Sequence, residues 1–145
     1  TDLTLYFGNI DIRFHLMRQP NPEQAVLLLV NRLLNFIAEI SPDINVTIQE
    51  LLPIEDESRK IPGSGMYKGQ PFYGSKEERQ NLVNLFNILI KDSIDHNHPY
   101  KVQKMWLDYP LHFNCMEARQ SVHIRPDYYL HKNTFINDTR VPTLL

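Results

Sequence analysis

Residues 21–42 read NPEQAVLLLVNRLLNFIAEISP, and this stretch predicts a long apolar helix that the rest of the chain must accommodate. Asn21 suits the N-cap, Pro22 suits the first helical position, and Gln24 stands where a capping box needs it. Apolar residues then recur at spacings of three and four over much of the helix circumference, so we expect burial on more than one side. Ser41-Pro42 predicts the end of the helix, because proline disfavours helical backbone in the residue before it.

Before this helix, apolar and polar residues alternate, and the alternation changes parity at Gly8-Asn9. The apolar positions are Leu3, Leu5 and Phe7, then Ile10, Ile12 and Phe14. A two-residue turn at Gly8-Asn9 would place all six side chains on one face of a β-hairpin. A β-bulge at Gly8 in one bent strand would also repair the parity.

After this helix, Val46 and Ile48 predict a third strand that runs on toward Pro53. Residues 53–74 are rich in glycine, proline and charge, and they predict a long loop of the kind that forms binding loops or lids. Aromatic side chains such as Tyr67 and Tyr73 either belong to an interface or pin this loop to the domain surface.

Ser75 and Glu78 predict a capping box at the start of a second helix, which we expect to end near His96. Its apolar stripe is narrower than that of the first helix, and the residues expected to point outward are Arg79, Asn84, Asn87 and Lys91. Alternation returns in residues 102–107, 111–115 and 121–125, which predicts two or three short antiparallel strands.

These patterns together predict one α+β domain over residues 1–145. Its mainly antiparallel sheet would carry the long buried helix across its apolar face, with the second amphipathic helix packed against it. The loop at 53–74 and a loosely ordered tail at 133–145 would be its irregular parts.

Charge and hydropathy argue against several classes of protein. Fifteen Lys and Arg against 17 Asp and Glu give a formal net charge of −2, without a block of like charge, which argues against a nucleic-acid binder. The longest strictly apolar run, residues 25–30, is far below the roughly 20 residues that span a bilayer, so we expect no membrane partner. Cys115 is the only cysteine, which fits a reducing compartment, and we expect a cytoplasmic protein without a cofactor.

Six histidines raise the question of a metal site. His96 and His98 lie just after Asp92 and Asp95, but no further ligands follow at a spacing typical of zinc. Histidines at a helix end also complement its partial negative charge, so this cluster has a simpler interpretation. We assign no metal site.

A second pair, His112 and His123, falls on the polar parity of two predicted strands. This pair is either a candidate acid–base site or part of a solvated sheet face. Cys115 falls on the apolar parity, which favours a buried, unreactive thiol over a nucleophile. We assign no catalytic residue.

Tyr129-Leu130-His131-Lys132 resembles the Tyr-x-x-Lys motif of rolling-circle replication nucleases. The resemblance covers four residues and implies that Tyr129 attacks a DNA phosphate with the help of a metal bound by a histidine pair. That family places its histidine pair inside a strand between apolar residues, whereas His96-Asn97-His98 follows a helix here.

The predicted function is a non-enzymatic module that binds another protein, such as a small inhibitor, an immunity-type toxin neutraliser or an adaptor. Tyrosine side chains favour protein interfaces, and no catalytic constellation stands out. The binding residues are assigned to the loop: Glu55, Asp56, Glu57, Met66, Tyr67, Lys68, Phe72 and Tyr73. The alternative is a histidine-based hydrolase or nuclease, with or without a metal, that uses either His112, His123, Asp127 and Tyr129 or Asp95, His96 and His98.

Overall fold

The described part of the chain alternates strands with helices. The computed structural model describes residues 1–54, 63–66, 68–70, 73–94 and 100–104. In chain order the elements are β1 (Asp2–Leu5), a helical segment made of a π turn (Asp11–His15) and a 3-10 turn (Leu16–Arg18), α1 (Pro22–Ala38), β2 (Asn45–Gln49), α2 (Lys76–Asp92) and β3 (Lys101–Gln103). Residues 6–21 form the first connection, between β1 and α1, and residues 50–75 form the second connection, between β2 and α2.

The three strands form one parallel sheet in the order β1-β2-β3. Leu5 pairs with Ile48, and Ile48 pairs with Val102. The prediction of a mainly antiparallel sheet is therefore wrong. A helix lies between each strand and the next, and such a crossover brings the chain back to the same end of the sheet, so the following strand runs in the same direction. The strands predicted beyond residue 104 lie outside the described residues.

Both helices cover the same face of this sheet, as two right-handed crossovers in this strand order require. The two helices also contact each other. Helices, strands and connections share one core of buried apolar side chains: Leu5, Ile12, Leu16, Met17, Val26, Val30, Leu33, Ile37, Val46, Ile48, Leu51, Ile54, Leu82, Val83, Phe86, Ile90, Tyr100 and Val102. Within the described ranges, no helix combines the length and the apolar character needed to cross a membrane.

Polar side chains occupy the other face of the sheet. Asn45 Nδ2 donates to Asp2 Oδ1 at 3.0 Å, and Gln49 Nε2 donates to Gln103 Oε1 at 3.3 Å. Each pair joins residues in register on neighbouring strands. These side-chain hydrogen bonds add to the backbone hydrogen bonds between the strands. The residues that make them alternate along each strand with the buried apolar residues, so they lie on the opposite face of the sheet.

Neither the predicted hairpin at Gly8-Asn9 nor the bulged strand forms. β1 ends at Leu5, and the chain turns at Gly8, whose φ is +109°, into the helical segment. A Cβ atom on Gly8 would lie 3.1 Å from the Phe86 ring and 3.4 Å from Leu51, so the turn packs directly on α2. This close approach needs a residue without a side chain.

The residues after this turn follow a helical period instead of the alternation expected for a strand. Ile12 and Leu16 are both buried, at a spacing of four. The apolar residues between positions 10 and 16 fit both the period of two of a strand and the period near four of a helix, and in the structure this segment is helical. As a result Phe7 and Ile10, predicted on the apolar face of a hairpin, are mostly exposed.

The start of α1 confirms the predicted N-cap. The Asn21 side chain accepts a hydrogen bond from the Gln24 backbone N–H at 3.1 Å, and Pro22 opens the helix. The helix buries one stripe only, made of Val26, Val30, Leu33 and Ile37. The expectation of burial on more than one side is wrong, because the sheet and α2 cover α1 from one direction, and Leu28 and Phe36 remain exposed.

The predicted capping box at the start of α2 is confirmed. The Glu78 N–H donates to Ser75 Oγ, and the Ser75 N–H donates to Glu78 Oε1, both at 3.1 Å. The prediction that Arg79 and Asn87 point outward is wrong, since both are buried on the core side of the helix.

Residues 50–54 explain why Asn87 is buried. They continue from β2 along α2, where the Leu51 N–H donates to Asn87 Oδ1 at 2.8 Å and Asn87 Nδ2 donates to the Leu51 carbonyl at 3.1 Å. The Ile54 N–H donates to Gln80 Oε1 at 3.0 Å. Amide side chains of α2 therefore provide the hydrogen bonds that a neighbouring strand would otherwise give to this buried backbone.

Candidate functional site at the carboxyl edge

The candidate site follows from the direction of the strands. In an open parallel sheet, ligands bind outside the carboxyl ends of the strands. The first connection leaves the carboxyl end of β1, and the second connection leaves the carboxyl end of β2. Both connections therefore begin at the same edge of the sheet, and the starts of α1 and α2 follow them.

Large apolar side chains are exposed on these two connections. Six such side chains in the described residues are more than half exposed, and four of the six belong to the connections: Phe7 (56%), Ile10 (63%), Met66 (79%) and Tyr73 (54%). With the less exposed Tyr6, these residues are called the carboxyl-edge surface below. Exposed large apolar side chains on such connections are typical of a contact surface.

The end of the second connection packs on the first connection. The Arg18 guanidinium carbon lies 5.5 Å from the centre of the Tyr73 ring, within the range of a cation–π contact. Gly74 has φ +86°, and a Cβ atom there would lie 2.7 Å from Met17 Cε. Tyr73 therefore holds its loop to the domain, which is one of the two interpretations that the sequence left open, while about half of its surface stays exposed.

A cleft of about 340 Å³ opens between the start of α1 and the start of α2, and we call it the helix-start cleft. Met17 and Leu82, both buried, provide its apolar part. Its polar lining comes from both helix starts: Asn21 and Glu23 on one side, Glu78 and Asn81 on the other. Since Met17 also contacts Gly74, the cleft adjoins the carboxyl-edge surface at Tyr73.

Polar groups buried near the sheet have structural partners. Glu50, at the carboxyl end of β2, lies 3.7 Å from Lys91 Nζ, and its N–H donates to the Gln103 carbonyl at 2.9 Å. The Tyr100 hydroxyl donates to the Ile90 carbonyl. Burial raises the pKa of Tyr100 to about 12, so this hydroxyl keeps its proton at neutral pH and remains a donor.

Three of the eight binding residues predicted from the sequence fall in the described ranges. Met66 and Lys68 are exposed in a turn closed by the Lys68 N–H donating to the Gly65 carbonyl at 3.2 Å. Tyr73 lies at the other end of that loop against Arg18. The remaining five, Glu55, Asp56, Glu57, Tyr67 and Phe72, lie outside the described residues.

The residues of the hydrolase or nuclease alternative also lie outside the described residues. They are Asp95, His96, His98, His112, His123, Asp127 and Tyr129, together with Cys115 and Lys132. Within the described part of the chain, no group of three or more His, Cys, Asp or Glu side chains is arranged to hold a metal ion.

Sequence reasoning missed the residues that the parallel topology brings to this edge. Phe7 and Ile10 were assigned to a buried hairpin face, Glu78 was considered only as a capping residue, and Glu23 was assigned no role. The spacing of Ile12 and Leu16 carried the one signal that helix follows Gly8. Searches of protein-family models, curated proteins and solved structures give no match to this chain.

Proposed function

We propose that this chain is a protein-binding module that contacts its partner through the carboxyl-edge surface. The observation that carries the proposal is the exposure of Phe7, Ile10, Met66 and Tyr73 on the two connections that leave the carboxyl edge of the sheet. Aromatic and methionine side chains are enriched in protein interfaces, where they contribute large contact areas.

The energetics favour a protein partner over a small molecule at this surface. Fully burying one large apolar side chain is worth about 1.5–3 kcal/mol, so covering the exposed part of each one is worth about half of that. These side chains extend from two separate connections, so a partner must be broad enough to cover both. Such breadth is typical of a protein surface.

The test compares two double variants, each of which replaces two exposed apolar side chains. The edge variant combines Phe7→Ser with Met66→Ser, one change in each connection. The control variant combines Leu28→Ser with Phe36→Ser, which are each 51% exposed on the outer side of α1. Wild-type and variant proteins serve as baits in a lysate of the source organism, and circular dichroism establishes that all three are folded.

The proposal expects a near-stoichiometric protein that wild type and control variant retain and that the edge variant loses. Isothermal titration with the purified partner should then give a dissociation constant at least about tenfold weaker for the edge variant, as expected for loss of interface anchors. Equal retention by the edge variant, or equal loss by both variants, would remove the support for this surface.

A further inference from the structure

Met66 is the most exposed large apolar side chain in the described residues, at 79%. It lies in the turn that the Lys68 N–H closes on the Gly65 carbonyl. A Cβ atom added to Gly63, Gly65 or Gly69 would meet no atom within 4 Å beyond the adjacent residues, so the turn stands clear of the domain at these positions. A reagent or an enzyme can therefore reach the Met66 sulfur from solvent.

Met17 has the opposite environment in the same chain. It is 8% exposed within the shared core, and its Cε atom would lie 2.7 Å from a Cβ atom added to Gly74. An oxidant in solution reaches the Met17 sulfur only when the core opens, whereas it reaches Met66 in the native fold. Met105 and Met116 lie outside the described residues. The described part of the chain thus contains one accessible thioether, and it belongs to the carboxyl-edge surface.

Oxidation by hydrogen peroxide would change the polarity of this thioether. A lone pair of the sulfur forms an S–O bond while the O–O bond of the peroxide breaks, and the departing hydroxide takes the proton of the transferred oxygen to become water. The sulfur is oxidised by two electrons and the peroxide is reduced. The product, methionine sulfoxide, is polar and disrupts apolar interfaces. Sulfoxide reductases reverse the step by releasing the oxygen as water while two thiols become a disulfide.

We propose that Met66 is a site of reversible oxidation that regulates binding at the carboxyl-edge surface. The thioether form contacts the partner protein, and the sulfoxide form weakens that contact because it places a polar S–O group in an apolar interface. A bound partner also covers the sulfur and slows its oxidation. The inference rests on the proposed function, because the modified side chain belongs to the proposed contact surface.

The first measurement is the rate at which hydrogen peroxide oxidises each methionine of the native protein. After the peroxide is removed, trypsin digestion and mass spectrometry separate the two sulfurs, since Met66 lies in peptide 61–68 and Met17 in peptide 14–18. Met66 should be oxidised at least about tenfold faster than Met17, because the Met17 sulfur waits for the core to open. In urea that unfolds the chain the two rates should become equal. Equal rates in the native protein would overturn the inference.

The second measurement is the affinity for the protein that wild type captures and the edge variant loses. Isothermal titration with peroxide-treated wild type should give a dissociation constant about tenfold weaker than before treatment, and sulfoxide reductase with dithiothreitol should restore it. Met66→Leu keeps an apolar side chain of similar volume that peroxide does not modify. The dissociation constant of this variant should be the same before and after treatment, which controls for oxidation at Met105 and Met116.

The two measurements separate this inference from the proposed function. If the edge variant loses the captured protein while peroxide leaves the affinity of wild type unchanged, the oxidation inference fails and the protein-binding proposal stands. An equal loss of affinity in treated Met66→Leu would also overturn the inference, because the effect would then come from another residue. If no captured protein depends on the carboxyl-edge surface, the proposed function fails, and the inference that rests on it is overturned whatever the rate of Met66 oxidation.

Discussion

Replacing Asn87 by alanine is expected to lower the free energy of unfolding by about 3 kcal/mol. The side chain of Asn87 makes two hydrogen bonds to the backbone of Leu51, and Leu51 is fully buried. Alanine leaves the Leu51 N–H and the Leu51 carbonyl without these partners, and each buried group left unpaired lowers the free energy of unfolding by about 1–3 kcal/mol. The higher helix propensity of alanine returns about 0.5 kcal/mol. The loss should lower the melting temperature by roughly 10 °C, at about 2–4 °C for each kcal/mol.

Urea denaturation followed by far-UV circular dichroism measures this loss. Asn84→Ala is the matched control, since Asn84 lies on the same helix, is exposed, and within the described ranges makes one side-chain hydrogen bond, from Gln80 Nε2 at 3.1 Å. The control should change the free energy of unfolding by no more than about 0.5 kcal/mol. A loss below about 1 kcal/mol for Asn87→Ala, or equal losses in the two variants, would refute the role given to the Leu51 contact.

Asn87→Asp adds a test by pH. The ionised carboxylate can accept from the Leu51 N–H but repels the Leu51 carbonyl, whereas the protonated carboxyl can donate to that carbonyl. Burial raises the pKa of the introduced carboxyl above its unfolded value of about 3.9. Its contribution to stability is thus complete below the unfolded pKa and is lost as pH rises through the folded pKa. Relative to wild type, the variant should be more stable at acidic than at neutral pH, and a flat or reversed difference would contradict this account.

Gly8→Ala should lower the free energy of unfolding in urea by about 1–3 kcal/mol, because φ is positive and Phe86 lies at 3.1 Å from the added Cβ. Gly65→Ala, where φ is positive but the space around the added Cβ is open, should lower it less. Equal losses in the two variants would argue against the Phe86 contact. Because burial raises the pKa of Tyr100 to about 12, its contribution to stability is complete below about pH 10 and is lost as pH rises toward 12. Tyr100→Phe should remove that alkaline loss, together with the tyrosine ultraviolet absorbance change near pH 12, and an unchanged titration would contradict the assignment. Trypsin should cut the native chain after Lys68 in its exposed turn sooner than within α1 or α2, and an intact Lys68-Gly69 bond after helix cleavage would show that this turn is protected.

The helix starts and the second strand could be predicted because their signals are local. Asn21 and Ser75 form the expected caps, since a cap depends on residues within one turn of helix. Val46 and Ile48 are buried on β2 as their alternation indicates. The direction of the sheet could not be derived from such signals, because strand direction depends on the crossover between distant segments.

The candidate site was predicted less completely, because the positions of its residues depend on contacts between segments that are far apart in the sequence. Gly8 was interpreted as part of a hairpin turn or as the site of a β-bulge, and its true role depends on contact with Phe86, which is far away in sequence. Asn87 was expected to be exposed because of its polarity, although its amide replaces a strand as a partner for Leu51. The exposed positions of Met66 and Tyr73 agree with their assignment to a surface loop, while binding by these residues stays a prediction.

The strand register has a consequence for the order of folding. Asp2 and Asn45 are paired across 43 residues, and Gln49 and Gln103 across 54. Loop-closure entropy separates these two events by only about 0.2 kcal/mol, so chain length gives neither pairing a clear advantage. The order of synthesis favours the pairing of β1 with β2, since β1, α1 and β2 are complete well before β3 leaves the ribosome. During that interval the edge of β2 that later receives β3 has no strand partner, so a newly made chain at this stage is more prone to aggregate than the finished fold.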